Sequence, residues 1–401
     1  MVFRNRRFTI LLAGQLLSSA GNNLLLLALF WYVLTTTGSS ADLALTGLVE
    51  MLAGVAALFT GVYVDRWHKR RTMIVSDALR AGIVGLMWAL LVLRALPFVP
   101  LLLLFFVLQI VGAFFDPAGS AFLPLIVAHE DLPAAAGVYQ SGASLAKMVG
   151  LLGGGAVVAI LGFPLAVLLD GVSFLASVAT LLCMRSTEPE PARVERRFFI
   201  EWFAGLRVIG RSRAVLRISA ARLLANFALA PVEIVLAAWV RGPLHGTALD
   251  FGLAMGVLLA AMTLGGVLLG LWPWRDRAIL LLAWGLLVAG GSFATVGMDS
   301  LLVWTMAALA LFGLASGVMK GLLSGLTLQL VPAASRGRVL GALGALSTVS
   351  QPVGIAFFGA LMTRLPLADV LAAIGLIICL AGASLLLPIK DDLAALSDVS
   401  V

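Results

Sequence analysis

The chain has 401 residues, of which 61% are hydrophobic and 12% charged, with a formal net charge of +7 and a mean hydropathy of +1.08. A soluble domain has no means of hiding so much apolar surface, because much of any folded surface stays in contact with water. We therefore expect an integral membrane protein. The excess of basic residues is attributed to membrane topology and lipid contacts, and no nucleic-acid partner is expected.

Twelve apolar stretches, each long enough to cross ~30 Å of hydrocarbon as a helix, fill the sequence almost end to end. Their side chains do not alternate between apolar and polar, as the strands of a membrane barrel would. The first stretch is too long for a cleaved signal, and further spans follow it at once. The predicted spans lie near 9–35, 42–64, 73–94, 98–127, 133–161, 164–184, 215–240, 250–271, 278–297, 300–330, 338–362 and 367–387.

Basic residues concentrate in alternate gaps between these spans, beginning with the arginines before the first span. The opposite gaps contain only three arginines or lysines, Arg94, Arg241 and Arg364. Positively charged loops remain on the cytoplasmic side of a membrane. We therefore predict a multi-pass protein of a bacterial-type inner membrane with both termini in the cytoplasm.

One gap is longer and more polar than most, from residue 185 to residue 213, and it contains Pro189 and Pro191. It divides the spans six and six. The predicted organisation is an N-terminal bundle over 1–184, a cytoplasmic linker over 185–214 and a C-terminal bundle over 215–401. Within the gap, Glu201–Arg211 is compatible with a short amphipathic helix or with an extension of span seven.

The loop after span two carries the most specific motif. Its sequence, Gly61-x-x-x-Asp65-Arg66-x-x-Lys69-Arg70, resembles the signature loop of the major facilitator superfamily, with His68 where that loop usually has a second glycine. The loop after span eight repeats the pattern weakly, which indicates an internal duplication. The resemblance implies an all-α membrane protein with twelve transmembrane helices in two pseudo-symmetric six-helix bundles.

Other segments resemble particular members of this superfamily. Gly150–Gly155 is similar to the antiporter motif of span five, although Leu151 replaces its proline, and we expect the run to contact a helix of the other half. Asp116-Pro117, together with Arg336-Gly337-Arg338, resembles the branch that contains macrolide-efflux proteins and the enterobactin exporter.

A gating role is expected for the signature loop, because an acid at the cytoplasmic end of span two can bind the positive N-terminus of a helix from the other half. Span eleven is the expected partner of Asp65, and residues at similar depth in spans three and four are expected to complete a charge network. The predicted gating residues are Gly61, Asp65, Arg66, Lys69, Arg70, Asp77, Arg80 and Asp116.

Charged and amide side chains deep inside spans are costly, so they are functional candidates by default. In spans one, five, seven and ten they recur at helical spacing on one face. Spans one, seven and ten line the cavity in the resembled fold, although polar groups can also bind neighbouring helices to one another. The predicted substrate-cavity residues are Gln15, Asn22, Gln140, Lys147, Arg222, Asn226, Glu233, Ser316 and Lys320.

Proton-driven transport requires an intramembrane carboxyl group that binds and releases a proton. Glu233 is the first candidate because Arg222 and Asn226 share its face of span seven. Glu50 is the second, with a fixed structural pair to Lys147 as its alternative role, and Asp116 follows.

These observations predict a secondary active transporter that exports small, partly apolar molecules of drug, macrolide or siderophore type by proton antiport with alternating access. A nutrient importer or a lipid flippase of the same fold is the nearer alternative. A membrane enzyme would need a cluster of nucleophiles or metal ligands, and only two cysteines, Cys183 and Cys379, are present. We expect no cofactor besides the proton gradient and no metal. The expected partners are the substrate and the lipid bilayer, and the protein is expected to be a monomer.

Overall fold

The structure is a computed structural model that describes residues 5–184, 198–271, 277–331 and 335–387. These residues form fifteen α-helices and no strand. The helices are α1 (Arg6–Thr37), α2 (Ser40–Asp65), α3 (Lys69–Val92), α4 (Phe98–Gly112), α5 (Phe115–Ile126), α6 (Leu132–Leu161), α7 (Phe163–Cys183), α8 (Phe198–Arg211), α9 (Arg213–Leu229), α10 (Val232–Arg241), α11 (Ala248–Leu271), α12 (Ala278–Thr295), α13 (Leu302–Leu330), α14 (Arg336–Met362) and α15 (Leu367–Leu386).

Within the described ranges, twelve stretches of helix are long and apolar enough to cross a membrane. The prediction of an all-helical, twelve-span protein is therefore confirmed. The predicted spans agree closely with the helices. Helix α3 is an example of the differences at helix starts, because it begins at Lys69 rather than near residue 73.

Short connections between consecutive spans are fixed by local backbone chemistry. Helix α1 ends where Gly38 takes a left-handed backbone angle (φ +64°) and donates its N–H to the Leu34 carbonyl. A side chain at that position would be strained, and glycine avoids the strain. Ser39 follows at once and accepts a hydrogen bond from the Asp42 N–H, which caps α2. Gly38 and Ser39 together therefore reverse the direction of the chain between the first two spans.

Two spans are broken helices. Span four consists of α4 and α5, interrupted at Ala113 and Phe114, and span seven consists of α9 and α10, interrupted at Ala230 and Pro231. Pro231 has no N–H to donate to the preceding turn, so it accounts for the second break. Such interruptions leave backbone carbonyls available inside the membrane, where they must find partners in the protein.

The chain forms two compact units. Unit 1 comprises Met1–Arg196 with Gly246–Gly256, and unit 2 comprises Arg197–His245 with Val257–Val401. The first turns of α11 thus belong with the N-terminal helices. Of the predicted linker over 185–214, residues 185–197 lie outside the described residues, and the remainder forms α8, Ser212 and the first residues of α9.

Glycines allow close helix contacts within unit 1. A side chain on Gly150 or Gly154 would collide with the backbone of α1 at Ala20 or Leu24, so these two glycines pack against a helix of their own half. Gly155 instead packs against Gly252 of α11, with 3.0 Å between the Gly155 Cα and the Cβ position of Gly252. The expectation of a contact with the other half was wrong for Gly150 and Gly154, because their helix face is covered by α1.

The amphipathic helix α8 is distinct from span seven. Ser212 separates α8 from α9 in an extended conformation and caps α9 by accepting from the Val215 N–H. Of the predicted apolar face, Trp202, Leu206 and Ile209 pack on a cluster that includes Val339 of α14. Phe203 points away and is exposed. Docking on α14 therefore holds α8 in unit 2.

Docking of α8 depends on Gly205. A Cβ at this position would collide with the Arg338 carbonyl and lie 2.9 Å from the Ala342 Cβ, whereas a Cβ on Gly210 of the same helix would meet nothing within 4 Å. We predict that Gly205→Leu detaches α8 from α14 and lowers the free energy of unfolding by about 1–3 kcal/mol, the usual cost of overpacking. Hydrogen–deuterium exchange of α8 and thermal unfolding in detergent measure both effects. Gly210→Leu is the matched control, and equal exchange in the two variants would contradict the docking.

Candidate functional site

The interior of unit 1 contains an ion pair between two residues of α3. The Arg80 Nη1 donates to the Asp77 Oδ1 at 3.2 Å, and both side chains are buried. The other terminal nitrogen of Arg80 donates to the Asn22 Oδ1 of α1 at 3.0 Å. The guanidinium carbon also lies 3.9 Å from the centre of the Phe174 ring on α7, a cation–π contact. A single guanidinium thus joins three helices.

A second buried carboxyl group faces the same arginine. Asp170 of α7 has no exposed surface and interacts electrostatically with both Arg80 and Asp77. Ser173 donates its hydroxyl to the Asp170 carbonyl at 2.7 Å and lies 3.5 Å from its Oδ1. Among the described residues, the Oδ2 atoms of Asp77 and Asp170 have no hydrogen-bond partner. We call Asn22, Asp77, Arg80 and Asp170 the buried polar cluster.

Small residues make room for this cluster. A Cβ on Gly21 would collide with the Ser173 hydroxyl and lie 3.0 Å from the Asp170 Oδ1, and a Cβ on Gly112 would lie 3.3 Å from the Arg80 Nε. Glycine at these two positions therefore lets α1 and α4 approach the charged groups closely. The approach excludes water from the cluster and strengthens the electrostatic interactions inside it.

The cluster lies within the membrane-spanning part of the helices. Asp77 and Arg80 are eight and eleven residues beyond Lys69, the first residue of α3. At 1.5 Å per residue these offsets correspond to about 12 and about 16 Å along the helix. The pair is therefore remote from the loop at which α3 begins.

Sequence reasoning missed Asp170. The residue lies in span six, between apolar neighbours, and the criterion of a costly intramembrane charge applies to it as it does to Glu50. What the sequence does not contain is the pairing of α7 with α1 and α3. That pairing brings Asp170 to the arginine, and it follows from tertiary packing.

The signature loop supplies two basic side chains to helix ends. The Lys69 Nζ donates to the carbonyls of Val64 and Trp67, both at 2.9 Å. The Arg70 Nε donates to the Leu181 carbonyl at 2.8 Å and its Nη2 to the Leu182 carbonyl at 3.2 Å, at the end of α7. Cations bound to the last carbonyls of a helix also stabilise its dipole. Lys69 and Arg70 therefore secure the ends of α2 and α7.

The rest of the predicted gating set is placed as follows. Gly61 and Asp65 belong to the last turns of α2, and the burial of these two residues lies outside what the structure describes. Arg66 is exposed beside them. Asp116, in the first turn of α5, is exposed but interacts electrostatically with Arg80 and with Tyr139. A gating role for any of these residues stays a prediction.

The predicted cavity residues of unit 1 occupy different environments. Gln15 is buried in α1, and its Oε1 has no hydrogen-bond partner among the described residues. Asn22, predicted in the same set, binds Arg80 as described above. Gln140 is exposed and Lys147 half-buried on α6, and Glu50 is half-buried on α2. The proposed pairing of Glu50 with Lys147 stays a prediction.

In unit 2, the predicted residues follow one face of span seven and part of α13. Asn226 donates its amide to the Arg222 carbonyl at 2.8 Å, so it bonds within its own helix. Glu233 is half-buried in the first turn of α10, after the break at Pro231. On α13, Ser316 is buried and its hydroxyl has no partner among the described residues, whereas Lys320 is exposed.

The described residues contain no group of three or more histidine, cysteine, aspartate or glutamate side chains arranged to hold a metal ion. Cys183 and Cys379 are free thiols.

Comparison with known proteins decides the family. The family model of the Major Facilitator Superfamily matches residues 11–355, most of the chain. The chain belongs to the Major Facilitator Superfamily. It is therefore a transporter and not an enzyme.

Individual members of the Major Facilitator Superfamily resemble this chain at low sequence identity. Macrolide efflux protein A of Streptococcus pyogenes is 23% identical over 354 residues, covering 87% of each chain. Multidrug efflux pump Tap of Mycolicibacterium fortuitum is 27% identical over 356 residues, covering 83% of this chain and 82% of the pump. These relatives agree with the branch that the sequence motifs resemble.

Solved structures of the superfamily confirm the fold. A bacterial homologue of the human lysosomal transporter Spinster, in an inward-facing and unoccupied conformation, superposes with a TM-score of 0.74 at 15% identity and covers 96% of both chains. A bacterial homologue of the iron transporter ferroportin gives 0.74 at 18% identity, covering 95% of this chain and 98% of the homologue.

The buried polar cluster makes a testable prediction about stability. Arg80→Gln leaves two buried carboxyl groups without their cation and should lower the free energy of unfolding by about 3–5 kcal/mol, as breaking a buried pair does. The double variant Asp77→Asn/Arg80→Gln should lose about 0.5–3 kcal/mol less of this free energy than the two single variants lose together, because the two side chains interact directly. Denaturant titration in detergent micelles measures the cycle, with the exposed Arg94→Gln as control. Additive single effects would contradict the coupling.

Proposed function

We propose that this transporter exports small, partly apolar molecules of drug, macrolide or siderophore type by proton antiport, with the proton bound at the buried polar cluster. The observation that carries the proposal is one buried guanidinium that forms an ion pair with Asp77 and interacts electrostatically with a second fully buried carboxyl group, Asp170. The names of the relatives, macrolide efflux protein A and multidrug efflux pump Tap, support the direction and the substrate class.

Charge balance is the physical argument for proton binding. If Asp77, Arg80 and Asp170 are all ionised, two negative charges face one positive charge, a net −1 in a site with almost no exposed surface. An uncompensated buried charge is costly, and one proton shared by the carboxyl groups removes it. The free Oδ2 atoms of Asp77 and Asp170 are available acceptors for that proton. Asp116 adds a third acid within electrostatic range of Arg80.

Exchange of the proton can be coupled to export through Asn22 and Arg80. When a carboxyl group is protonated, it no longer holds the guanidinium as strongly, and Arg80 becomes free to change partners on α1, α3 and α7. A ligand shifts an equilibrium between conformations only by its differential affinity for them. A proton that is bound in one arrangement of these helices and released in another has that differential affinity.

The cluster replaces Glu233 as the preferred coupling site, and Glu233 remains the competitor. Glu233 lies in the first turn of a helix that follows a break, so it is placed to respond to motion of span seven. Asp170 is favoured because it is completely buried beside a defined cation, whereas Glu233 is half-buried. The two assignments differ in which single variant abolishes coupling.

The test uses proteoliposomes with an imposed pH gradient and a panel of macrolides, cationic dyes and siderophores. We predict that the wild-type protein accumulates at least one probe against its gradient, and that Asp170→Asn abolishes accumulation while leaving probe binding within about tenfold. Asp299→Asn, an exposed acid changed in the same way, should transport normally.

Each alternative has its own outcome in this assay. Accumulation that persists in Asp170→Asn but is lost in Glu233→Gln would move the coupling site to Glu233. Movement of the probe in the same direction as the protons, rather than in the opposite direction, would identify an importer. Transport that ignores the gradient and follows lipid composition would identify a flippase. Failure of all probes in the wild-type protein would overturn the substrate class.

A further inference from the structure

Unit 1 has a groove lined by the loop between α2 and α3, by α3, and by Val111 and Phe114 at the break between α4 and α5. Its volume is about 550 Å³. Arg66, His68 and Arg71 line one end, and Trp67, Val75, Leu79, Val111 and Phe114 are among the residues that line the remainder. The groove therefore changes from basic to apolar along its length.

The basic end is not explained by helix capping. Lys69 and Arg70 of the same loop bind the carbonyls that end α2 and α7. Arg66 and Arg71 are exposed instead, and within the described parts of the chain their guanidinium groups make no hydrogen bond. Two arginines at one end of a groove provide several donors in the geometry that matches phosphate oxygens.

The apolar wall is built from aromatic and aliphatic side chains that face outward. Trp67 stacks on Phe114 with 5.7 Å between ring centres and an interplanar angle of 23°, yet it is 47% exposed. Val75 and Leu79 continue the wall and are 56% and 54% exposed. Leu79 lies eight residues beyond Arg71 on α3, or about 12 Å along the helix axis.

We propose that this groove binds an anionic phospholipid, with the phosphate between Arg66 and Arg71 and the upper part of an acyl chain along Trp67, Val75 and Leu79. A soluble anion would use the arginines but gain nothing from the apolar wall. An uncharged apolar solute would use the wall but gain nothing from the arginines. In the predicted topology the loop faces the cytoplasmic leaflet, where basic pockets between membrane helices bind acidic lipid headgroups.

The experiment measures quenching of Trp67 by lipid in nanodiscs that contain either brominated phosphatidylglycerol or brominated phosphatidylcholine at equal mole fraction. The chain has nine tryptophans, so the Trp67 signal is taken as the part of the quenching that is lost in Trp67→Phe. We expect stronger quenching by phosphatidylglycerol than by phosphatidylcholine. Each arginine near an acidic surface corresponds to about a 5-fold preference, so both together give about 25-fold.

Two variants with the same charge change separate a specific site from general attraction. Arg66→Gln/Arg71→Gln should abolish the preference, whereas Arg6→Gln/Arg7→Gln, which removes two exposed arginines at the start of α1, should retain it. Raising the salt concentration on the wild-type protein should weaken the preference without any substitution. Equal quenching by both lipids, or a preference that survives in Arg66→Gln/Arg71→Gln, would overturn the proposal. Displacement of the lipid by glycerol phosphate at millimolar concentration would also overturn it, in favour of a soluble anion.

Discussion

The organisation of unit 1 depends on the contacts of the Arg80 guanidinium. It lies in an apolar interior and contacts α1 through Asn22, its own helix through Asp77 and α7 through the Phe174 ring. A buried arginine is costly unless its charge is balanced and its donors are used. Both terminal nitrogens of Arg80 donate hydrogen bonds, whereas its Nε has no partner among the described residues. The helices around it are therefore positioned by electrostatics as well as by the close contacts of glycines. A membrane bundle has little hydrophobic force between its helices, so such polar contacts have a larger part in specifying which helices adjoin.

The same cluster contains more carboxyl groups than its one arginine can neutralise. A structural ion pair needs one carboxylate, and the cluster contains two that are completely buried, with unsatisfied oxygens on both. Replacement of such groups by apolar residues would often be neutral for stability, so their presence in the interior is weak support for a purely structural role. The proposed proton exchange would give the second acid a role, and it would link the local chemistry of unit 1 to the transport function of the superfamily.

Much of the fold was predictable from the sequence because a bilayer imposes strong rules. Length and hydropathy alone identify all twelve spans, since a spanning helix must satisfy its backbone hydrogen bonds internally. The signature loop Gly61–Arg70 identifies the superfamily, and the family match over residues 11–355 confirms it. Helix α8 was predicted only as one of two alternatives, because the helix signal of Glu201–Arg211 does not reveal the break at Ser212.

The candidate site was less predictable, since it depends on which helices adjoin. Asp77 and Arg80 were identified as charged residues of span three, but their partners on α1 and α7 come from packing that no periodicity encodes. Gly21 illustrates the limit: in the sequence it is one of 42 glycines, and only the structure reveals that a side chain there would occupy the position of the Ser173 hydroxyl. The division of the four basic loop residues between helix ends and the open groove is likewise a tertiary property.

Proton counting on substrate binding tests the central claim most directly. Calorimetric titration of the detergent-solubilised protein with the tightest-binding macrolide or dye, in two buffers that differ in ionisation enthalpy, gives the number of protons released per molecule bound. The account predicts release of up to about one proton by the wild-type protein at neutral pH, and none by Asp170→Asn under the same conditions. Binding without proton release in the wild-type protein, or release that is unchanged in Asp170→Asn, would contradict it.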